Sequence, residues 1–169
     1  YAPAAAIVLA DSRLLVKEPE RITGRRVLVV EDGPTITHGG MASGAGLLAA
    51  KENGAAELVD PRPYAIGSIA ETFRKYPHIG PVLPAMGYGE EQIRELEKTI
   101  NTARCDLVLF ATPIHLARLL DIAHPSLRIR YEYRNHGEPI LEEVLVKRLR
   151  DIATPKTCRR DAACKEPRE

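Results

Sequence analysis

Short apolar runs alternate along the chain with segments in which apolar residues recur at helical spacing. Several runs are continuous, which is typical of strands buried on both faces of a parallel sheet. The runs predict strands over residues 5–10, 26–30, 56–59, 106–111 and 128–131. The periodic segments predict helices over residues 40–52, 66–75, 90–103, 114–122 and 140–152. Alternating strands and helices predict an α/β fold with an open, mostly parallel sheet and flanking helices.

The clearest helix is the third, where Ile93, Leu96, Glu97 and Ile100 form a stripe of helical period. Residues 77–89 contain three prolines and three glycines, and they predict a structured loop long enough to be functional. We predict one α/β domain over residues 1–152. Residues 153–169 lack apolar periodicity and are predicted to be a disordered tail.

Composition excludes several classes of partner. A formal net charge of +1 gives no global attraction to nucleic acid or to a membrane surface. The longest apolar run, residues 2–10, is far shorter than the roughly 20 residues of a membrane helix. That run lacks a basic leader and does not resemble a signal peptide, so we expect a further portion upstream. The sequence leaves self-association open.

Three cysteines do not form a disulfide framework in a chain of 169 residues. Cys105 begins an apolar run and is predicted to be a small buried residue. Cys158 and Cys164 lie in a polar segment without further metal ligands nearby. The free thiols predict a reducing, cytoplasmic location.

Two carboxylates follow the second predicted strand, within the sequence VLVVEDGPTITHGGM. Because ligands of parallel α/β sheets lie beyond the carboxyl ends of the strands, Glu31 and Asp32 are candidate Mg²⁺ ligands, directly or through water.

The residues after these carboxylates are suited to bind phosphate. We expect a helix to start near Gly39 or Gly40 and to point free N–H groups at an anion. Thr35, Thr37 and His38 would add side-chain donors. The alternative is that Asp32 and Gly33 form a turn and a threonine caps the helix. A cap uses one residue, whereas several polar groups gather here, so we favour the functional interpretation.

A second phosphate candidate is Arg62, which follows the next predicted strand and lies between two prolines. The prolines restrict its backbone, and a fixed guanidinium suits a phosphate or a carboxylate. A structural ion pair within the loop is equally compatible with the pattern, and Asp60 is either its partner or an acidic ligand. In AMGYGEEQ the two glutamates predict a turn with acidic capping, and Tyr88 either stacks on a ligand or packs. His78 is interpreted as an ordinary loop residue.

Thr112 and Pro113 follow the fourth predicted strand and are explained as a helix cap with proline in the first turn. A contact with a nucleotide base at this position is the functional alternative. The sequence suggests no Ser-His-Asp or Cys-His arrangement, and it contains no G-x-x-x-x-G-K-[ST] loop.

Several long segments together resemble the cyclic 2,3-diphosphoglycerate synthetase family, whose members are also described as predicted GTPases. They are VLVVEDGPTITHGGM, AAELVDPRPYAIGSI, YPHIGPVLPAMGYGEEQIRELEKTIN, CDLVLFATPIHLARLL and RIRYEY. The resemblance covers about residues 4–152.

This resemblance implies a P-loop NTPase-like fold, of which the chain is the C-terminal portion after a missing upstream domain. It also implies ATP-dependent closure of a phosphoanhydride in 2,3-diphosphoglycerate, a small phosphorylated substrate. Glu31 or Asp32 would then hold Mg²⁺, and Arg62 would balance phosphate charge. The anion site would be lined by Thr35, Thr37, His38, Gly39 and Gly40. Thr112 and Pro113 would contact ATP or GTP.

Two departures from the family pattern matter. An aspartate is usual in the family where this chain has His115, which puts the preference for a nucleotide base in doubt. Without a phosphate-binding loop, the 169-residue chain alone is predicted to be inactive. The alternatives are a GTPase of the same family and a non-catalytic binding or assembly module.

Overall fold

The computed structural model describes residues 5–87 and 89–153. These residues form two compact units, one of residues 13–132 and one of residues 5–12 with 133–153. Tyr88 and nearly all of the predicted tail lie outside the described residues.

The described residues form seven strands and five α-helices. The strands are β1 (Ala10–Leu15), β2 (Arg26–Asp32), β3 (Glu57–Leu58), β4 (Leu83–Ala85), β5 (Leu107–Ala111), β6 (Ser126–Arg128) and β7 (Arg130–Asn135). The helices are α1 (Gly33–His38), α2 (Ala45–Glu52), α3 (Gly67–Lys75), α4 (Glu90–Thr102) and α5 (Leu141–Ala153). Single 3-10 turns cover Pro19–Arg21, Arg62–Tyr64 and Leu116–Arg118.

The larger unit is built on a five-stranded sheet with β2 at its centre. Its path runs β3-β2-β5-β6, and β4 also pairs with β2. β3 pairs with the start of β2 and β4 with its end, while β5 follows β2 from Val27 to Glu31. All of these pairings, and that of β5 with β6, are parallel. The predicted α/β fold with a mostly parallel sheet and flanking helices is confirmed.

The core lies around β2 and β5, because side chains on both faces of these strands are removed from solvent. Residues 27–30 of β2 have no exposed surface, and all of β5 is buried. Consecutive strand residues point to opposite faces, so both faces of the sheet are covered here. Each large side chain buried this way stabilises the fold by roughly 1.5–3 kcal/mol. Burial of both faces explains why these strands are continuous apolar runs in the sequence.

Helix α2 packs unusually close to the sheet because it presents a glycine there. A Cβ atom on Gly46 would lie 2.6 Å from Val29 Cγ1 and 2.9 Å from the Cβ of Ala111. Both neighbours are fixed parts of buried strands, so the helix could not keep this position with a larger residue.

Two predicted strands were wrong in their bounds. Residues 5–9 carry no regular structure, and β1 starts at Ala10. Ile7 and Leu9 are 76% and 61% exposed, so the apolar run there does not mark a buried strand. The strand expected over residues 128–131 is divided between β6 and β7, which belong to different sheets.

The predicted helix over residues 114–122 was also wrong. Only the 3-10 turn Leu116–Arg118 forms there. Leu116 and Leu120 are both buried, and their four-residue spacing imitates a helical stripe. Side chains of α4 fix the end of this segment instead, because Glu97 accepts a hydrogen bond from the backbone N–H of Asp121 at 2.8 Å.

A helix follows β2, at the position where the sequence analysis considered a turn as the alternative to a ligand site. Asp32 is the N-cap of α1 and Pro34 lies in its first turn, a combination that starts helices. The helix predicted over residues 40–52 consequently begins later, at Ala45, with Gly44 as its N-cap.

The predicted loop over residues 77–89 contains strand β4. Its central residue, Pro84, has no N–H to donate, which disfavours proline in strands paired on both sides. In the described chain β4 pairs only with β2, where Pro84 faces Glu31, so the proline is tolerated.

The smaller unit contains the outer ends of β1 and β7, which pair with each other, and helix α5. His136 donates its backbone N–H to Leu9, and its Nδ1 lies 3.2 Å from the Asp11 carboxylate. Leu145 and Leu149 on α5 are more than half exposed. No helix in the described residues is long and apolar enough to cross a membrane.

Replacing Gly46 with alanine tests the close packing of α2 on the sheet. Alanine normally favours a helix over glycine, so propensity alone would stabilise the variant. We expect Gly46→Ala instead to lower the free energy of unfolding by about 1–3 kcal/mol, because the methyl group overpacks the site. Urea denaturation measures the change. Lys51→Ala, on the exposed side of the same helix, serves as the control with a change within about 0.5 kcal/mol. A stabilised Gly46→Ala variant would contradict the packing described.

Candidate functional site

Strands β2, β5 and β6 end at one edge of the sheet in the larger unit. The register places Glu31 beside Ala111, and Phe110 beside Arg128. Open parallel sheets bind ligands outside this carboxyl edge. We therefore consider the carboxyl edge of these three strands the candidate functional site.

Glu31 lies at this edge, and its carboxylate is already bonded to the start of α2. The side chain is 2% exposed. Its Oε1 accepts hydrogen bonds from the backbone N–H groups of Gly44 at 3.1 Å and Leu47 at 3.0 Å. Glu31 thus caps α2, whose N-cap residue Gly44 lies thirteen residues after it, and joins the central strand to that helix.

Burial changes the protonation equilibrium of Glu31. Removal from water raises the pKa of its carboxyl group above the ordinary value, and the neighbouring charge of Asp32 acts in the same direction. Hydrogen bonds from the N–H groups of Leu47, Gly44 and Gly46 oppose this rise. The burial effect is the largest, so the native protein binds this proton more tightly than a free glutamate does.

Asp32 caps a different helix. Its Oδ2 accepts hydrogen bonds from the backbone N–H of Thr35 at 3.3 Å and from the Thr35 hydroxyl at 2.8 Å. Adjacent strand residues point to opposite faces, so the carboxylates of Glu31 and Asp32 serve α2 and α1 separately.

A third carboxylate has the same function on α3. Glu95 of α4 accepts hydrogen bonds from the backbone N–H of Ser68 at 3.0 Å and from the Ser68 hydroxyl. Three helices of the larger unit therefore begin at a side-chain carboxylate, which satisfies N–H groups that an anionic ligand would otherwise use.

Neither Glu31 nor Asp32 belongs to a cluster of metal-binding side chains in the described residues. The described residues contain no group of three or more His, Cys, Asp or Glu side chains that could hold a metal ion. Glu31 is buried against backbone N–H groups and does not fit direct coordination of Mg²⁺ as it stands. A metal role for Glu31 and Asp32 stays a prediction.

The residues predicted to bind phosphate after Asp32 lie at the end of α1. Thr37 donates its hydroxyl to the Gly33 carbonyl at 2.9 Å, and His38 Nδ1 is 3.1 Å from that hydroxyl. Gly39 donates its N–H to the Thr35 carbonyl as the C-cap. The expected helix start at Gly39 or Gly40 was wrong, because this is where a helix ends and the dipole is negative. The phosphate role of these residues stays a prediction.

Arg62 holds two loops together. One guanidinium nitrogen is 3.0 Å from Asp60 Oδ1, and the other donates to the Ile79 carbonyl. The guanidinium carbon is 4.9 Å from the centre of the Phe73 ring. These contacts correspond to the structural alternative for Arg62, with Asp60 as its partner, and its role with phosphate stays a prediction.

A cavity of about 440 Å³ opens at the carboxyl edge beyond β5 and β6. Its lining comprises Thr112, Pro113, Arg128, Ile129, Arg130 and Tyr131. The sequence predicted the first two of these as nucleotide contacts. We call this space the edge cavity.

Tyr131 joins the edge cavity to the carboxylates at the end of β2. Partial burial raises the pKa of its hydroxyl above the ordinary value, and the charges of Glu31 and Asp32 raise it further. Tyr131 therefore stays protonated at neutral pH and can donate a hydrogen bond. Arg128, Arg130 and Tyr131 were missed as site residues, because the sequence predicted them inside a strand over residues 128–131 and not after a strand end.

The remaining candidate groups make ordinary structural contacts. Burial raises the pKa of the Cys105 thiol to about 11, so this thiol is neutral and a poor nucleophile. His78 Nε2 lies 3.0 Å from the Ile36 carbonyl, which fits the interpretation as a loop residue. Thr112 donates its hydroxyl to the Ile114 carbonyl at 2.8 Å. Tyr88, Cys158 and Cys164 lie outside the described residues.

Comparison with known proteins gives one informative match. A Thermococcus kodakarensis protein named arginine synthetase ArcE is 57% identical over 143 residues. The match covers 85% of this chain, and the chain spans 32% of the length of that relative. No family model matches the chain, and no solved structure matches it.

The match supports only the general part of the resemblance found in the sequence motifs. The chain is similar to a stretch of a protein named as a synthetase, which agrees with the general class expected from the sequence. The name concerns arginine, however, and the resemblance to cyclic 2,3-diphosphoglycerate synthetase rests on the motifs alone.

The raised pKa of Glu31 predicts a dependence of stability on pH. Because the native state binds this proton more tightly than the unfolded state, the contribution of Glu31 to the free energy of unfolding falls as the pH rises from below 4.5 through the raised native value. Glu31→Gln keeps an oxygen acceptor but does not titrate. The stability of wild type relative to Glu31→Gln should therefore decrease from acidic to neutral pH in denaturation curves.

Glu31→Ala controls for the acceptor itself. It leaves buried N–H groups at the start of α2 without a partner and should cost about 1–3 kcal/mol. A difference between wild type and Glu31→Gln that is flat or rises with pH would contradict the burial effect.

The contacts of Arg62 predict that replacing it lowers the stability of the fold. We expect Arg62→Leu to lower the free energy of unfolding by about 1.5–3 kcal/mol, because charged hydrogen bonds to two loops are lost. Arg74→Leu is the matched control, since Arg74 is exposed and lies 3.9 Å from its partner Glu71. Thermal denaturation of both variants measures the contrast. Equal, small effects would show that the Arg62 contacts contribute nothing measurable.

Proposed function

We propose that this chain is part of an ATP-dependent, ligase-like enzyme that forms arginine. The observation that carries the proposal is the 57% identity over 143 residues to a protein named arginine synthetase. Because the chain spans only 32% of that relative, the activity belongs to a whole protein of which these residues form a part.

The chemistry of arginine limits the reaction class. A synthetase must make a C–N bond of the guanidinium group, and the ureido counterpart of arginine, citrulline, carries oxygen at that carbon. Transfer of the ATP γ-phosphoryl group to the ureido oxygen turns this oxygen into a leaving group. Ammonia then forms the new C–N bond, and the oxygen departs in inorganic phosphate. The products are arginine, ADP and phosphate.

The edge cavity supports this proposal as the place where the chain would contact substrate. It lies where open parallel sheets bind ligands, and Arg128 and Arg130 bring two positive charges to it. Such charges stabilise the developing negative charge in phosphoryl transfer. Tyr131 would donate a hydrogen bond to a substrate oxygen, and Thr112 with Pro113 would contact the nucleotide.

Other parts of the site must come from outside these residues. The chain has no G-x-x-x-x-G-K-[ST] loop, so we propose that an upstream P-loop-type portion holds the triphosphate. Mg²⁺ accompanies the nucleotide in reactions of this class. We assign no residue of this chain to direct coordination of that metal. The phosphate contacts predicted from the sequence remain candidates only if their present hydrogen bonds are exchanged. They are Thr35, Thr37, His38, Gly39, Gly40 and Arg62.

The second candidate is closure of a phosphoanhydride in 2,3-diphosphoglycerate. It is favoured by the long ordered segments that resemble the synthetase of that compound. Both candidates begin with activation of an oxygen by a nucleotide phosphoryl group, so one assay can separate them. GTP hydrolysis and a non-catalytic binding role are the other outcomes to be distinguished.

The test is a product assay on the whole protein that carries this chain. We expect arginine and ADP to form in equal amounts from citrulline, ammonium and ATP with Mg²⁺, as measured by mass spectrometry. Arg130→Gln should lower kcat/KM at least tenfold, about 1.4 kcal/mol, by removing a charge from the edge cavity. Arg134→Gln, four residues along β7 and outside the lining of the cavity, is the matched control and should retain activity.

Three results would overturn or redirect the proposal. ADP formation that requires 2,3-diphosphoglycerate and not citrulline would favour the second candidate. Hydrolysis of GTP without either acceptor would indicate a GTPase. A folded protein that turns over none of these substrates would favour the binding role.

A further inference from the structure

A second cavity of about 220 Å³ lies beside β6 in the larger unit and shares Arg128 and Arg130 with the edge cavity. It is lined by side chains from the 17–21 segment, from β5 and β6, and from the turn after β5. Those that matter here are Lys17, Arg21, His115, Ser126, Arg128 and Arg130. We call it the basic cavity.

The charge of the basic cavity is strongly one-sided. Four of its lining residues are lysine or arginine, and Glu18 is its one lining carboxylate, so the formal charge is +3 with histidine neutral. Glu18 is itself bonded to Arg21, with 3.1 Å between Oε2 and the guanidinium nitrogen. The positive charges of Lys17, Arg128 and Arg130 have no carboxylate among the lining residues left to balance them. Like charges repel, so a cluster of positive side chains is stabilised when an anion is present.

Two nitrogen atoms on the lining residues lack hydrogen-bond partners. Within the described residues, Arg128 Nε and His115 Nδ1 are both shielded from solvent and unpaired. Arg128 uses another nitrogen to donate to the Pro113 carbonyl at 2.7 Å, which fixes the guanidinium in place. Buried polar atoms are nearly always paired in proteins, so unpaired ones indicate a missing partner. An oxygen acceptor would satisfy Arg128 Nε, which can only donate.

The walls and volume of the basic cavity restrict the ligand. Phe110 and Leu127 are buried and line it, so charges inside it are weakly screened. Its volume of about 220 Å³ is below the roughly 300–1,000 Å³ of pockets that enclose a drug-sized ligand. A group of the size of phosphate matches this space, and Ser126 adds a hydroxyl donor.

We propose that the basic cavity is an anion site that binds a phosphate group through Lys17, Arg21 and Arg128. This inference does not depend on arginine synthesis, and none of these residues is among those that the sequence predicted for phosphate. Arg62 differs, because both of its terminal guanidinium nitrogens are bonded, to Asp60 and to backbone carbonyls, whereas Arg128 Nε is buried without a partner. The phosphate is either free orthophosphate or a terminal phosphate of a nucleotide.

Calorimetric titration of the intact protein with orthophosphate tests the proposal, with chloride at matched ionic strength as the reference. We expect saturable binding of orthophosphate by the wild type. Lys17→Gln and the double variant Lys17→Gln/Arg21→Gln should raise the Kd at least tenfold. Arg74→Gln removes an equal charge from an exposed position on α3 and should leave the Kd unchanged.

Titration with ATP in the absence of Mg²⁺ identifies the source of the phosphate. ATP binding that weakens in the same variants and is displaced by orthophosphate would assign the cavity to a nucleotide phosphate. ATP binding that the variants leave intact, beside orthophosphate binding that they weaken, would assign it to free phosphate.

The proposal is overturned if the wild type shows no saturable orthophosphate binding beyond that of chloride, or if both variants bind as tightly as the wild type. Circular dichroism establishes that each variant is folded. If the double variant is not folded, Lys17→Gln alone decides, because Lys17 is exposed. These outcomes are independent of whether arginine is formed in the product assay.

Discussion

The buried carboxylate of Glu31 is the contact around which the larger unit is arranged. It lies next to the last residue of the central strand, and it accepts hydrogen bonds from Gly44 and Leu47 at the start of α2. The surrounding sequence leaves room for it only because two neighbours are glycines. A Cβ atom on Gly44 would lie 2.6 Å from the carboxylate, and one on Gly46 would lie 3.1 Å from it. The packing of the strand against the helix therefore depends on Glu31 and on both glycines.

Carboxylates at the helix starts also determine where the chain can bind an anion. Glu31, Asp32 and Glu95 occupy the positive ends of α2, α1 and α3. A phosphate would have to displace a charged group that is covalently part of the protein. Positive charge for a ligand must therefore come from side chains, and in the larger unit the arginines of β6 and the following strand supply it. This explains why both cavities include Arg128 and Arg130.

The sequence predicted those elements whose stability is local or whose burial is complete. The unbroken apolar runs of β2 and β5 and the helical stripe of α4 leave little choice of structure. Prediction from the sequence failed where contacts between distant residues determine the structure. Residues 114–122 are an example, because Glu97 of α4 holds the end of this segment in place. The position of Glu31 at a strand end followed from the pattern, but its partners lie thirteen and sixteen residues away and have no periodic signal. Arg128 and Tyr131 were missed for a similar reason, because their strand is divided between two sheets.

The proline in β4 has a consequence for the behaviour of the protein at high concentration. Strands at the margin of a sheet can recruit strands from other molecules and so start aggregation. β4 is only three residues long with Pro84 at its centre, and β3 beside it on β2 has two residues. Neither offers a neighbouring molecule a continuous row of hydrogen-bonding groups. That margin of the sheet is therefore protected mainly by the shortness of its strands.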